Sequence, residues 1–350
     1  MAAAVASAEL TPAPLDVLIV DDSAVARAAL RRIVEDRPEL RVREVCDRAT
    51  RAAAWLADHA VDVILLDLQM PGTHGLDALP SLIAAARGAP ILIVSSLATA
   101  GAQATLRALA LGAADTLAKP QAGQFNAAFA DALADRIVKL GRTRQMADGP
   151  RELLPLRAGA AAPPHAVVIG ASTGGIQALE ALIGALPMRF ALPILITQHL
   201  PASFVAFFAD HLATRTGRKV EVAADGQPVT ARTVLVAPGT AHLGLERRRG
   251  RVHVRLHTEP AETRCLPSVD PMFATAAQIW NEHLRAVVLT GMGRDGFEGA
   301  RQVIANGGDV LVQDQQSATV WGMPGVIARA GLACRIDRPE ALGQALAQAV

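Results

Sequence analysis

The chain has 350 residues, enough for two domains that each bury a core, and a formal net charge of +1 with its basic residues scattered. Hydrophobic residues make up 51% of it, but alanine supplies much of that, and no stretch reaches the roughly 18 uninterrupted apolar residues of a spanning helix. The balance argues against a nucleic-acid binder, which carries a basic face, and against membrane insertion.

Residues 1–14 (MAAAVASAELTPAP) lack the basic stretch of a secretory signal and read as a flexible tail. Cys46, Cys265 and Cys334 lie far apart, fit no metal spacing, and read as reduced thiols of a cytoplasmic protein. From Leu15 to about residue 140, apolar runs alternate with alanine-rich segments of helical spacing. The runs are Val17–Val20, Val42–Val45, Val63–Leu66, Ile91–Val94 and a weaker Thr116–Ala118. Continuously apolar strands in βα repeats predict a parallel sheet covered on both faces.

Residues 141–164 (GRTRQMADGPRELLPLRAGAAAPP) lose the pattern and read as a linker. A second βα series fills residues 165–350, with strands at Val167–Ile169, Ile194–Thr197, Val234–Ala237, Val287–Leu289 and Val310–Val312. Between Arg218 and His257 the pattern suggests short strands and a hairpin, with Arg247-Arg248-Arg249 and Gly250 at its solvated tip. The expected fold is α/β with two doubly wound parallel-sheet domains, flavodoxin-like and then Rossmann-like.

Ligands of an open parallel sheet gather at the carboxyl ends of its strands. The first series places Asp21 and Asp22 after its first strand, Asp67 after its third, Ser95 after its fourth and Lys119 after its fifth. Three converging carboxylates suit a hard cation such as Mg²⁺. Taken singly, each is an ordinary strand-end cap; it is their joint occurrence in strand order that points to chemistry. LIVDDSAVAR, ILLDLQMPGTHGL, ILIVSS and AKP together resemble the receiver domain of two-component signalling. The resemblance implies that Asp67 accepts phosphate from a histidine kinase. It implies too that Asp21, Asp22 and Asp67 hold Mg²⁺ and that Ser95 and Lys119 contact the phosphoryl group. Two positions depart from the receiver pattern: His74 where an Asp is usual, and Thr116 where an aromatic switch residue is common.

In the second series the first strand runs into Gly170-Ala171-Ser172-Thr173-Gly174-Gly175, a strand–turn–helix elbow that projects a serine hydroxyl. A serine needs a base within reach, and His199 follows the next strand at the same sheet edge. Asp295, in the glycine-rich turn after a later strand, is placed to orient that histidine. His242 is a rival base and Asp270 a rival carboxylate, the latter equally able to cap the helix that starts near Pro271. Bland alternatives are a helix cap for Ser172, a strand-end histidine for His199 and a turn former for Asp295.

IGASTGG, QHLP, APGTAH, PSVDPMF, TGMGRDG and QDQQSATVWGMP, in this order, resemble the catalytic domain of the chemotaxis protein-glutamate methylesterase family (CheB). That resemblance implies Ser172 as nucleophile, His199 as base and Asp295 as its orienter, with Thr173 and the backbone around Met292 supporting the oxyanion. It further implies hydrolysis of glutamyl methyl esters on methyl-accepting chemoreceptors, deamidation of receptor glutamines, and control by phosphorylation, with no cofactor for the hydrolysis. Two other classes compete. A nucleotide-dependent oxidoreductase would use the glycine-rich turn at VVIGASTGG, but Gln198 and His199 stand where the ribose-binding acid belongs, and the chain has no tyrosine. A response regulator acting only by binding remains compatible with the sequence.

Overall fold

The computed structural model describes residues 13–70, 75–95, 99–120, 125–147, 154–160 and 162–350. His74 and nearly all of the expected tail lie outside these residues. Two α/β units follow one another. The first contains β1 (Leu15–Val20), α1 (Ala24–Glu35), β2 (Leu40–Cys46), α2 (Ala49–Leu56), β3 (Val63–Leu66), α3 (Gly75–Ala85), β4 (Ile91–Ser95), α4 (Thr99–Leu111), β5 (Asp115–Ala118) and α5 (Ala127–Ala147). The second begins with β6 (Ala166–Ala171), α6 (Gly175–Gly184), β7 (Ile194–Gln198), α7 (Ala202–Thr216), β8 (Val220–Val222) and β9 (Val234–Val236). It continues with β10 (His242–Arg248), β11 (Arg251–His257), α8 (Val269–Trp280), β12 (Leu284–Val288), α9 (Phe297–Ala305), β13 (Asp309–Gln313), α10 (Met323–Arg329), β14 (Arg335–Asp337) and α11 (Pro339–Gln348).

The first sheet has the order β2-β1-β3-β4-β5 and the second β14-β13-β12-β6-β7-β9-β8, each parallel throughout. The apolar runs are central strands because both of their faces are covered: β1, β3, β6, β7 and β12 carry almost no exposed side chain. β10 and β11 form the expected separate antiparallel hairpin. Its two-residue tip, Arg249-Gly250, has positive φ at both positions, the geometry of a tight primed turn. Among the described residues no helix is long and apolar enough to cross a membrane.

The second sheet reverses direction at β6: the chain adds β7 and β9 on one side, then β12, β13 and β14 on the other. The loops after β6 and β12 therefore part at a topological switch point, where open α/β sheets place ligands. One apolar cluster runs from Leu18, Ile64 and Leu106 of the first unit into Leu179 and Phe204 of the second.

One boundary differs from expectation. Helix α5 continues to Ala147, well past residue 140. Its last turns lack an apolar stripe because polar contacts dock them instead: Arg144 donates to Val61 O and Arg87 O, and Gln145 to Asp62. Gly141 permits close approach, since a Cβ there would lie 2.8 Å from Leu15 Cδ1.

The second unit is held at its start by a buried ion pair. Arg285 Nε lies 3.2 Å from Asp309 Oδ2 across β12 and β13, and Asp309 Oδ1 accepts the Ala160 N–H at 2.8 Å. Removing one partner leaves the other charge buried and uncompensated. Arg285→Met is expected to lower unfolding free energy by about 3 kcal/mol, measured by urea denaturation followed by far-ultraviolet circular dichroism.

Candidate active site

At the end of β6 the backbone turns sharply into α6. Gly174 takes φ +75°, and a Cβ on it would fall 2.2 Å from Thr319 Oγ1; one on Gly175 would fall 2.1 Å from Gln198 Oε1. Only glycine fits both positions, and the hydroxyl of the half-buried Ser172 is presented on the elbow. The elbow is pinned from β12 and β7. Ser172 N–H donates to Thr290 O at 3.0 Å, Gln198 Nε2 to Ser172 O at 2.8 Å, and Thr290 Oγ1 to Thr173 O at 2.8 Å.

His199 follows β7, its N–H bonded to Ala171 O at 3.1 Å. Its ring bridges the other two expected residues: Nδ1 lies 3.2 Å from Ser172 Oγ and Nε2 lies 2.7 Å from Asp295 Oδ2. An ionised carboxylate only accepts, so the ring proton is assigned to Nε2, which leaves Nδ1 to accept from the serine. Hydroxyl, imidazole and carboxylate thus form one hydrogen-bonded chain from three strand ends.

Asp295 is 1% exposed. Burial alone would raise its pKa, but the His199 bond and charge, Ser268 Oγ and Val269 N–H together hold it well below the usual carboxylate range. Ser268 Oγ donates at 2.6 Å and Val269 N–H at 2.7 Å, and Gly296 N–H adds a bond at 3.1 Å. Val269 opens α8, so the helix's unpaired N–H groups point at the carboxylate.

The rival residues have other duties. His242 opens β10. It is buried, and its Nδ1 accepts the Ser268 N–H at 2.9 Å, so it fixes a donor to Asp295. Burial and the neighbouring His257 push its pKa down, keeping it neutral. Asp270 lies in the first turn of α8 but caps α9, accepting the Gly299 N–H at 2.7 Å. Thr173 and Met292 flank the serine, and among the described residues neither N–H donates to another backbone group. Sequence reasoning missed Ser268, Thr290 and Gln198. Polar residues in the QHLP, PSVDPMF and TGMGRDG segments were the available signal.

At the carboxyl edge of the first sheet, Lys119 Nζ lies 2.6 Å from both Asp21 Oδ2 and Asp67 Oδ2. Ser95, at the end of β4, is buried. Burial pushes the Asp21 pKa up; burial would lower that of Lys119, but its two carboxylate partners carry it upward. Asp21, Asp22 and Asp67 offer oxygens within 4.8 Å of one another, an all-oxygen set with one lysine to balance it. These residues fit a Mg²⁺ ion. Thr116, in β5, has a buried hydroxyl without a hydrogen-bond partner.

The two units meet over the elbow. Thr173 Oγ1 donates to Asp115 Oδ2 at 2.9 Å, Gly174 N–H to Ala114 O at 3.0 Å and Gln177 Nε2 to Leu109 O at 2.8 Å. Arg136 pairs with Asp115 at 3.2 Å. The cleft holding Ser172 and His199 is thereby walled by Ala113, Ala114, Asp115, Thr116 and Arg136 of the first unit.

Comparison with known proteins fits this geometry. The family model for CheB methylesterase matches residues 167–346. The chain belongs to the CheB methylesterase family. The response regulator receiver domain model matches residues 17–128. A protein-glutamate methylesterase/protein-glutamine glutaminase of Caulobacter vibrioides is 39% identical over 325 residues, covering 91% of this chain and 93% of that protein. One from Rhodopseudomonas palustris is 35% identical over 352 residues, covering 92% and 91%. The solved CheB methylesterase catalytic domain of Thermotoga maritima superposes with a TM-score of 0.52 at 35% identity, covering 54% of this chain and all of that one. The second unit is thus a CheB-type esterase domain and the first a receiver. The family is hydrolytic, so the oxidoreductase alternative falls.

The acidic pair also sets a pH dependence. Burial, the Asp295 charge and the bond between the two groups raise the Asp270 pKa, against the pull of Gly299 N–H. The folded state then binds a proton that the unfolded chain has lost, so this group costs stability as pH rises above about 4 toward neutrality. Asp270→Asn keeps an acceptor for Gly299 N–H and removes the ionisable group. Its melting temperature is expected to match wild type near pH 4 and exceed it at pH 8. The gap should be about 1 kcal/mol after solvent screening, read by calorimetry at both pH values.

Proposed function

We propose that this chain hydrolyses γ-glutamyl methyl esters on chemoreceptors, with Ser172, His199 and Asp295 as the catalytic residues and phosphorylation of Asp67 as the control. The continuous bond path from Ser172 Oγ through the His199 ring to Asp295 carries the reading.

In this mechanism Ser172 Oγ attacks the ester carbonyl carbon while its proton passes to His199 Nδ1. The imidazolium that forms is stabilised by Asp295 through Nε2–H. The Thr173 and Met292 N–H groups donate to the developing oxyanion. As the C–O bond to the methoxy group breaks, His199 returns its proton and methanol leaves. Water then attacks the acyl-enzyme with His199 as base again, releasing the glutamate side chain and free serine. A glutamine amide would follow the same path with ammonia leaving, the second activity that the relatives' names carry.

The receiver supplies the control. Phosphate from a histidine kinase would be accepted by Asp67, with Lys119 and Ser95 contacting its oxygens. Mg²⁺, when held by Asp21, Asp22 and Asp67, neutralises phosphoryl charge. With the receiver forming one wall of the cleft, the approach of a methylated receptor segment to Ser172 is narrowed, and release of the Thr173–Asp115 contact would widen it. Asp115 and Lys119 bracket the same short strand, so a shift of β5 touches both ends at once.

Methanol release from methylated receptor, with and without a small phosphodonor, tests the reading. Ser172→Ala should lose at least about 10³-fold in kcat, and Asp67→Ala should lose the response to phosphodonor alone. A Ser172→Ala protein that still releases methanol at the wild-type rate overturns the assignment. Asp115→Ala removes a charge-assisted bond of about 1.5 kcal/mol, so basal activity without phosphodonor is expected to rise about tenfold. Unchanged basal activity would reject occlusion by this contact.

A further inference from the structure

Of the three cysteines, Cys265 is the one brought to the triad. Its sulfur, a ring nitrogen of His199 and a carboxylate oxygen of Asp295 lie within 4.8 Å of one another. Cys265 is half-buried on the segment that leads into α8, beside Thr263, whose hydroxyl donates to Asp295 at 3.3 Å. We propose that His199, Cys265 and Asp295 form an inhibitory site for a thiophilic divalent cation of the zinc class. The binding half of this proposal stands on the donor set; the inhibitory half rests on His199 being the base.

The donors are one sulfur, one imidazole nitrogen and one carboxylate oxygen, the ligand types zinc takes, with bond lengths of about 2.3 Å to sulfur and about 2.0–2.2 Å to nitrogen and oxygen. Those lengths separate tetrahedral donors by about 3.2–3.6 Å. The 2.7 Å gap between His199 Nε2 and Asp295 Oδ2 must therefore widen by about half an ångström, while the sulfur draws inward. His199 retains 18% exposure of its side chain, which leaves an approach from the cleft. A fourth position stays open for water.

Charge and proton balance favour the complex. Bound as thiolate, unprotonated imidazole and carboxylate, the three donors carry two negative charges. A divalent cation that displaces the thiol proton to solvent leaves a site of zero net charge, the condition a buried cluster tolerates best. Metal on Nε2 forces the ring proton to Nδ1, which then faces Ser172 as a donor. The histidine loses the lone pair that would take the serine proton, and hydrolysis stops without any change at the elbow. Mg²⁺, a hard cation that prefers oxygen, does not compete at this site.

The full-length protein, titrated with Cd²⁺, is expected to develop the ultraviolet thiolate-to-cadmium charge-transfer band to one equivalent. Cys265→Ser should lose that band, and Zn²⁺ should displace it in wild type. The receiver's carboxylates add no such band, having no sulfur. Zn²⁺ should inhibit methanol release reversibly, with full recovery on chelation. Cys265→Ser should keep metal-free activity and need at least about tenfold more Zn²⁺ for half-inhibition. A band that persists in Cys265→Ser, or zinc inhibition equal in both proteins, overturns the metal site and leaves the triad intact. A Cys265-dependent band with no inhibition overturns the inhibitory role and counts against His199 as base, while the metal site stands.

Discussion

The carboxylate of Asp295 sits almost wholly out of water, where an uncompensated charge would cost several kcal/mol. Everything around it answers that cost. The His199 ring comes from the end of β7, Ser268 Oγ and Val269 N–H from the start of α8, and Gly296 N–H from its own turn after β12. Three separately built pieces of the second unit are registered on one anion. His242 belongs to the same arrangement from a layer further out, because its Nδ1 holds the Ser268 N–H and so leaves the Ser268 hydroxyl to turn inward. An anion this well solvated by fixed donors fixes the imidazole tautomer, and the tautomer decides which ring nitrogen faces the serine.

The elbow answers a different constraint, steric rather than electrostatic. Gly174 and Gly175 admit Thr319 and Gln198 to distances that a Cβ would forbid, and Thr290 ties the turn back to β12. The same backbone that aims Ser172 also offers its neighbours to the receiver, since the Gly174 N–H and the Thr173 hydroxyl are bonded to β5 and the residue before it. Nucleophile geometry and domain closure therefore share atoms. Any opening of the cleft frees the Thr173 side chain beside the proposed oxyanion donor.

Much of this was legible in the sequence because strand ends are legible. Apolar runs located the strands, a parallel sheet puts their carboxyl ends on one edge, and Ser172, His199, Asp295, Asp67 and Lys119 each follow such a run. What stayed hidden depends on chain segments without periodicity. The segment from residue 258 to Ser268 has no repeating pattern, so periodicity did not announce that it would carry Ser268 to Asp295 or Cys265 to His199. Asp270 read as a cap for its own helix, yet it caps α9, because the packing of α8 on α9 decides the partner. The last turns of α5 (GRTRQMA) escaped notice because they dock through Arg144 and Gln145 rather than through an apolar stripe. β8 and β14, three residues each, are too short to show a period.

The closed arrangement is suited to being overturned. Its specific polar contacts at the elbow are Thr173–Asp115, worth about 1.5 kcal/mol net, and Gly174–Ala114 and Gln177–Leu109, worth about 1 kcal/mol each. Together they amount to a few kcal/mol, the order of energy that the phosphorylation proposed for Asp67 would have to redistribute. The shared apolar cluster works the other way, since Leu106 and Leu109 lose their cover if the units separate fully.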